Sequence, residues 1–271
     1  MKLSIIIVNY NSGAMTASCV ESLLPQLTGR LIKSEIIVVD NASKDDSVPF
    51  LRSDFPEITV IDNDQNLGFG SGVNQGLEAA KGEYCLVLNP DIVALPQSLE
   101  QLVAYLDAHD DVGLAGGQLL YPNGQLQYSC FRFYTPWTVL ARRTWLGRTA
   151  AGRAEINRFL MKDFDHRTPA PVEWLMGSCL LARTKAVDEV GGMDERFFMY
   201  FEDVDWARRF WEARWRVMYV PTAQFSHFHQ QSSRQNGLLG ILTNRTTREH
   251  IKSAFKYFYK YWGKALPTIT G

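Results

Sequence analysis

The 271-residue sequence has little cysteine, no long apolar run and almost no net charge, and each shortage excludes something. Its four cysteines, Cys19, Cys85, Cys130 and Cys179, stand far apart with no C-x-x-C spacing. That excludes a zinc knuckle and a disulfide framework, and it suits a reducing compartment. No stretch reaches the ~18 apolar residues of a membrane-spanning helix. The opening apolar run breaks at Asn9, too short for a secretory signal. The expected location is cytoplasmic, at most peripheral at the inner face of the membrane. With 28 Lys+Arg against 29 Asp+Glu, the net charge of −1 draws the chain to no polyanion, and the basic segments carry no motif that reads DNA or RNA. No repeat, low-complexity tract or Pro/Ser-rich linker divides the chain.

What is present is an ordinary globular composition, 46% hydrophobic, in a chain long enough for one large α/β domain. Charge is segregated along it. Residues 1–100 hold 6 basic and 13 acidic side chains, so the remainder holds 22 and 16. The front half is suited to cations and the back half to anions. Compact β-branched runs at 3–8, 35–40, 58–62 and 84–89 predict strands, and helical patterns at 14–27, 45–55, 71–80 and 99–108 alternate with them. This order predicts a mostly parallel central sheet with helices on both faces, whose ligands bind beyond the carboxyl ends of the strands. Those ends read Asn9-Tyr10-Asn11, Asp40-Asn41, Asp62-Asn63-Asp64 and Asn89-Pro90-Asp91.

After residue 120 the alternation stops. Residues 130–162 carry six arginines and Lys162 against the single acid Glu155, and these arginines suit an anionic acceptor or plain solvation. A strand is expected over 172–182, a helix after Met199 through Trp211, and a basic aromatic helix over 245–264. In that tail Arg248, Lys252, Lys256, Lys260 and Lys264 form one stripe, and Phe255, Phe258, Tyr259 and Trp262 another. Such a helix fits an anionic membrane surface, and it fits equally a packed helix with solvated lysines, on this domain or in a homodimer.

Five clusters can carry chemistry. Asp40-Asn41, ending a buried strand, suits a ribose or base edge. The glycines at 68, 70, 72 and 76 allow close approach of backbone N–H groups to an anion. Their spacing fits neither G-x-G-x-x-G nor a P-loop, which weighs against a dehydrogenase and an NTPase. Pro90 presents Asp91 beyond the sheet, where a carboxylate suits a divalent cation that also holds a diphosphate. Glu202, Asp203 and Asp205 crowd the start of a helix, either as dipole-stabilised acids or as a general base with a raised pKa. His227 and His229 alternate as metal-ligand candidates.

The order Ile6-Ile7-Val8-Asn9-Tyr10-Asn11, Val38-Val39-Asp40-Asn41, Asn66-Leu67-Gly68-Phe69-Gly70, Asn89-Pro90-Asp91, Trp174-Leu175-Met176-Gly177, Glu202-Asp203-Val204-Asp205 and a late His resembles family 2 glycosyltransferases of the GT-A fold, especially the rhamnosyltransferase-like branch. The resemblance spans roughly residues 3–235. It implies a Rossmann-like GT-A sheet and inverting transfer from a nucleotide-diphosphate sugar, with dTDP-rhamnose the branch-level donor, to a saccharide or lipid-linked saccharide in cell-surface polysaccharide synthesis. It further implies donor binding by Val8, Asn9, Tyr10, Asp40, Asn41, Gly68, Asn74 and Asn89. Mg²⁺ or Mn²⁺ would sit on Asp91 with His227, which is favoured over His229 because its spacing to Ser232 matches the family's H-x-x-x-x-S. Asp203 would be the base, and Trp174, Gly177 and Glu202 would shape the acceptor site. Asn89 replaces the first Asp of the usual D-x-D, as is common in this branch. The implied organisation is one catalytic domain, 1–240, with a nucleotide-sugar half to 120 and an acceptor half beyond it, then a C-terminal helix over 241–271. A sugar-1-phosphate nucleotidyltransferase is the alternative, but Asn9–Gly13 lacks the basic residue a triphosphate loop needs. A non-catalytic sugar-nucleotide-binding protein is another, and the presence of both Asp91 and Asp203 speaks against it.

Overall fold

A computed structural model describes residues 1–27, 32–228 and 245–269. The front of the chain alternates as its pattern predicts: β1 (Leu3–Asn9), α1 (Gly13–Leu27), β2 (Ser34–Asp40), α2 (Ser47–Asp54), β3 (Thr59–Asp62), α3 (Phe69–Ala79) and β4 (Tyr84–Leu88). The strands lie parallel in the order β3-β2-β1-β4. Their register sets Asn9 against Asp40 and Asp40 against Asp62, so the polar strand ends share one rim. β5 (Ile92–Ala94), α4 (Ser98–Asp107) and β6 (Val112–Leu120) follow, then the two-residue strands β7 (Leu126–Gln127) and β8 (Cys130–Phe131).

The segment 130–162 is largely helical, in α5 (Pro136–Arg143), a 3₁₀ turn and α6 (Ala150–Phe159). Thr135 caps α5, its hydroxyl accepting the Thr138 N–H, and Pro136 opens the helix. The strand expected over 172–182 is broken into β10 (Trp174–Leu175) and β11 (Cys179–Arg183), after the short β9 (Ala170–Pro171). The break is a turn closed by Cys179 N–H donating to Met176 O, at the position of Gly177-Ser178. α7 (Thr184–Val190), α8 (Glu202–Glu212), β12 (Arg216–His227) and α9 (Arg245–Lys260) complete the described chain. β11 runs antiparallel to β4 and β6, β12 parallel to β6, and β5 antiparallel to β12. The described sheet therefore reads β3-β2-β1-β4-β11-β6-β12-β5.

Alternate side chains of the central strands feed two cores, one on each face. Ile5, Ile7, Leu86, Leu88 and Leu181 enter an aliphatic core with α1, α2 and α4. Val8, Val87, Leu180 and Ala182 enter the other, which is rich in aromatic rings, including Phe131, Phe159, Trp174, Phe201, Trp206 and Tyr219. Tyr257 and Tyr261 bring α9 into that aromatic core, each side chain of this size contributing about 2–3 kcal/mol on burial. Of the aromatic stripe foreseen on the tail, Phe258 packs against that core, while Phe255, Tyr259 and Trp262 face the other way, 74%, 85% and 85% exposed. Lys260 leaves the solvated basic stripe and pairs with Asp194, at 2.7 Å, and with buried Asp205. No helix among the described residues is long and apolar enough to cross a membrane.

Candidate active site

The strand-end rim is built around Asp40. Its fully buried carboxylate accepts Asn9 Nδ2 at 2.6 Å, Ser43 Oγ at 2.6 Å and Ser43 N–H at 2.7 Å. The Asn9 carbonyl oxygen in turn accepts Thr16 Oγ1 at 2.7 Å. Asn9, Asp40 and Asn41 are thus buried together, Val8 lies beneath them, and Tyr10 is exposed at the rim. Asn41 donates to Gly68 O at 3.0 Å, joining the second strand end to the glycine-rich turn. Gly68 has φ +93°, and a Cβ there would sit 2.4 Å from Phe198 O, so both backbone angle and space require glycine. Asn74 faces elsewhere: its amide donates to Met193 O and Glu195 and accepts Met193 N–H, fastening α3 to the 190s loop.

Antiparallel pairing of β5 with β12 sets Ile92 opposite His227 and so brings Asp91 beside that histidine. His227 Nε2 lies 3.3 Å from Asp91 Oδ2, and its Nδ1 lies 3.0 Å from Gln127 Oε1. In the tautomer whose Nδ1–H donates to Gln127, the Nε2 lone pair points at the carboxylate. Two neighbouring ligands of one octahedral Mg²⁺ stand about 3 Å apart, so the pair fits a hard divalent cation. No group of three His, Cys, Asp or Glu side chains gathers among the described residues. Further coordination would fall to diphosphate oxygens and water. His229 and Ser232 lie outside the described residues.

The third component is a cavity of about 380 Å³ at the start of α8, reached by Asn89 and His227 from one side and walled by Trp174, Phe131 and Tyr134. Asn89 N–H donates to Ser178 O, tying the metal-side turn to the break between β10 and β11. Tyr200 and Phe201 both have φ +70°, an uncommon conformation for bulky residues that turns the chain sharply into α8. The next two residues are Glu202 and Asp203. Asp203 Oδ2 accepts Gly177 N–H at 3.0 Å and Oδ1 accepts Val204 N–H at 2.8 Å. A Cβ at Gly177 would lie 3.3 Å from that of Asp203, so glycine allows the approach.

Burial pushes the Asp203 carboxyl up to about 6, although both N–H donors pull the other way. Burial and the adjacent Asp203 raise Glu202 well above the usual carboxylate range. Burial thus raises both carboxyls, and Asp203, which also accepts two backbone N–H groups, is the one whose proton affinity lies near neutral pH. Asp205 is not part of this site. It accepts from Arg209 at 2.8 Å, from Tyr261 Oη at 2.8 Å and from Lys260, and it anchors α9 to α8.

The cavity joins the residues expected to serve the acceptor, Trp174, Gly177, Glu202 and Asp203, with Asn89 and His227 from the donor and metal set. Asp40 and its neighbours form a separate cluster at the rim. Reading the sequence overlooked Gln127, Ser178 and His250, along with the individual placing of Arg142 and Arg143 in the cavity wall. Each stands outside any recognisable motif, and only the foreseen excess of arginine over 130–162 pointed toward two of them.

Known proteins resemble this chain in sequence and in fold. The family model for glycosyl transferase family 2 matches residues 4–191. The N-acetylglucosaminyl-diphospho-decaprenol L-rhamnosyltransferase of Mycobacterium tuberculosis (strain ATCC 25618 / H37Rv) is 27% identical over 95% of this chain and 82% of its own. Among solved structures, GalNAc-T7 with UDP, GalNAc and Mn²⁺ superposes with a TM-score of 0.69 at 16% identity, over 97% of this chain and 48% of that one. The mannosyltransferase PcManGT of Pyrobaculum calidifontis, with GDP-Man and Mn²⁺, gives 0.61 at 16% identity, over 94% and 64%. This chain thus spans less than two thirds of each of those two solved chains, and at such identity they speak for the α/β fold alone. The family match covers well over half of the sequence: the chain belongs to glycosyl transferase family 2, and it is a glycosyltransferase.

Proposed function

We propose that this glycosyltransferase moves rhamnose from dTDP-rhamnose to a hydroxyl of a lipid-linked saccharide, with inversion at the transferred carbon, in cell-surface polysaccharide synthesis. The observation that carries the reading is the buried Asp203 carboxyl, aimed by the Gly177 and Val204 N–H groups into a cavity that His227 and Asn89 also line. The named activity of the mycobacterial relative supports the sugar and the lipid-linked acceptor. In this reading residues 1–120 hold the donor and 121–240 the acceptor, and α9, instead of standing apart, packs on the acceptor half and adds His250 to its cavity.

Asn9, Asp40 and Asn41 shape the nucleoside pocket with Val8, Tyr10 and Gly68, and Asp40 acts chiefly by fixing Asn9 and Ser43. Asn74 contributes by fastening α3. Asp91 and His227 hold Mg²⁺ or Mn²⁺, Gln127 orients the imidazole, and Asn89 lies beside them. The cation, when bound, offsets the charge that grows on the departing diphosphate. Asp203 takes the proton of the attacking hydroxyl, and its two N–H donors aim the carboxylate. Trp174, Gly177 and Glu202 shape the acceptor site.

A thermal-shift panel of dTDP-, UDP- and GDP-sugars with Mg²⁺, Mn²⁺ or EDTA tests the donor side. The expected result is stabilisation by dTDP-rhamnose that needs metal and disappears in Asp91→Asn. A shift unaffected by EDTA would remove Asp91 from the donor site.

The exposed Phe255, Tyr259 and Trp262, flanked by Arg248, Lys252 and Lys256, support a peripheral contact of α9 with anionic membrane. Replacing the three aromatics by serine leaves the packed face of α9 intact and is expected to abolish flotation with anionic liposomes. Undiminished flotation would refute the contact.

A further inference from the structure

The cavity that holds Asp203 also holds two cations. Arg142 and Arg143, in the last turn of α5, line it together with His250 from α9. The Arg142 guanidinium lies 4.6 Å from the centre of the Phe159 ring and donates to Tyr134 Oη at 2.5 Å. Among the described residues no carboxylate pairs with it. Arg143 is half-buried beside it, and burial together with the charge of Arg142 makes its own charge less favourable. The dipole of α5 explains why arginines suit that helix end. It does not explain why both face a cavity, nor the histidine beside them.

His250 is 7% exposed and lies between the rings of Tyr200 and Phe201, 5.1 and 5.3 Å away. Its Nδ1 is buried and has no hydrogen-bond partner among the described residues. Burial and the two neighbouring guanidiniums push its pKa down to about 3, so the imidazole is neutral at any physiological pH. A neutral ring beside two cations adds an N–H donor without adding repulsion. Two guanidiniums and an N–H donor are the groups that recognise a phosphate, whose oxygens accept several charge-assisted hydrogen bonds at once. In the same cavity Ser178 Oγ and Glu202 Oε2 are also buried without partners among the described residues, and these suit sugar hydroxyls.

We propose that Arg142, Arg143 and His250 form a phosphate subsite for the acceptor, which is therefore a sugar carrying its own phosphate or diphosphate and not a neutral glycan. This rests on the reading of the cavity as the acceptor site.

The test is calorimetric titration of the full chain with pyrophosphate in EDTA, where a metal-held donor site does not contribute. Wild type is expected to bind, and Arg142→Gln/Arg143→Gln and His250→Ala each to weaken binding roughly tenfold or more. Arg142→Gln alone, at an exposed position, serves if the double variant does not fold. No binding by wild type, or equal binding by the variants, overturns the proposal. In a second arm the double variant should bind dTDP-rhamnose with Mn²⁺ as wild type does. Loss there instead would assign the arginines to the donor's diphosphate and overturn the subsite. Failure of wild type in that arm alone would overturn the donor reading and leave the subsite standing. A third arm uses phosphatidylglycerol vesicles: if the double variant loses vesicles while keeping pyrophosphate, the arginines serve lipid headgroups and the proposal is wrong.

Discussion

The strand-end rim and the aromatic cavity are finished to different degrees. At the rim, every side-chain polar atom of Asn9 and Asp40 has a protein partner. In the cavity, Ser178 Oγ, Glu202 Oε2 and His250 Nδ1 are buried with none among the described residues. A buried polar atom without a partner costs about 1–3 kcal/mol, so three in one cavity is a large investment of stability in a small volume. The rim keeps its shape through its own hydrogen bonds, whereas the cavity leaves part of its bonding to whatever enters. For a glycosyltransferase that difference is sensible. A nucleotide can be met by a rigid frame, while an attacking hydroxyl needs a carboxyl whose proton affinity is set by exclusion of water.

The largest effect expected is on chemistry. Asp203→Asn should lower kcat by ~10²–10⁴-fold while nucleotide-sugar affinity, measured by calorimetry, stays within about twofold. A matching fall in donor affinity would break the separation between rim and cavity. The same variant carries a stability signature whose sign follows from the raised pKa. The folded chain holds the Asp203 proton up to about 6, whereas an unfolded Asp releases it near 3.8. That contribution to stability is complete below about pH 4 and is lost as pH rises through 6. Asp203→Asn should therefore melt above wild type at pH 8, with the gap closed by pH 4.

Next in size is the rim itself. Asp40→Ala removes the acceptor for Asn9 Nδ2 and for both donors of Ser43, and a urea titration should register a loss of about 3 kcal/mol. A cost below about 1 kcal/mol would mean that water replaces the carboxylate and the rim is less self-sufficient than it looks. Smaller again is Gln127→Leu, which leaves Asp91 and His227 in place but frees the imidazole tautomer. Metal-dependent donor binding should weaken by ~10-fold or more.

The unequal finish also explains what could be read before the structure was known. The rim belongs to regular β-α-β chain, where compact apolar runs mark β1 to β4 and their polar ends fall together by the geometry of a parallel sheet. The cavity is assembled from pieces that local pattern hides. β6 contains Gly113, Gly116 and Gly117, poor strand formers that are needed because a Cβ at 117 would meet Phe225 and Ala223 O at 2.6 Å. The apolar run 172–182 looks like one strand, yet its turn at Gly177 is what delivers an N–H to Asp203. The pairing of Asp91 with His227 depends on β5 reaching β12, a long-range register that no periodicity announces. Asn74 shows the reverse: its place in a glycine-rich motif suggests a ligand, while its amide is committed to the 190s loop.

The acid limb of activity separates Asp203 from Glu202. Transfer should fall about tenfold per unit of pH below 6, because Asp203 must be ionised to accept a proton. Burial and the neighbouring Asp203 carboxyl raise Glu202 as well. Glu202→Gln, which keeps a neutral hydrogen-bonding group, should leave the limb where it is. A limb displaced by more than about one unit would assign the titration to the two carboxyls jointly and not to Asp203.

The smallest effect is the most direct probe of the contrast between rim and cavity. Ser178→Ala deletes a hydroxyl with no partner among the described residues, so its removal takes away a desolvation cost and leaves none of them unpaired. Stability should stay within about 0.5 kcal/mol of wild type or rise slightly, whereas Asp40→Ala lowers it severalfold more. If the hydroxyl bonds to the acceptor, the variant raises KM for that substrate by a few-fold and leaves kcat and donor affinity alone. A clear loss of stability with unchanged KM would show that Ser178 serves the fold, and the cavity would then be less dependent on its ligand than its orphaned atoms imply.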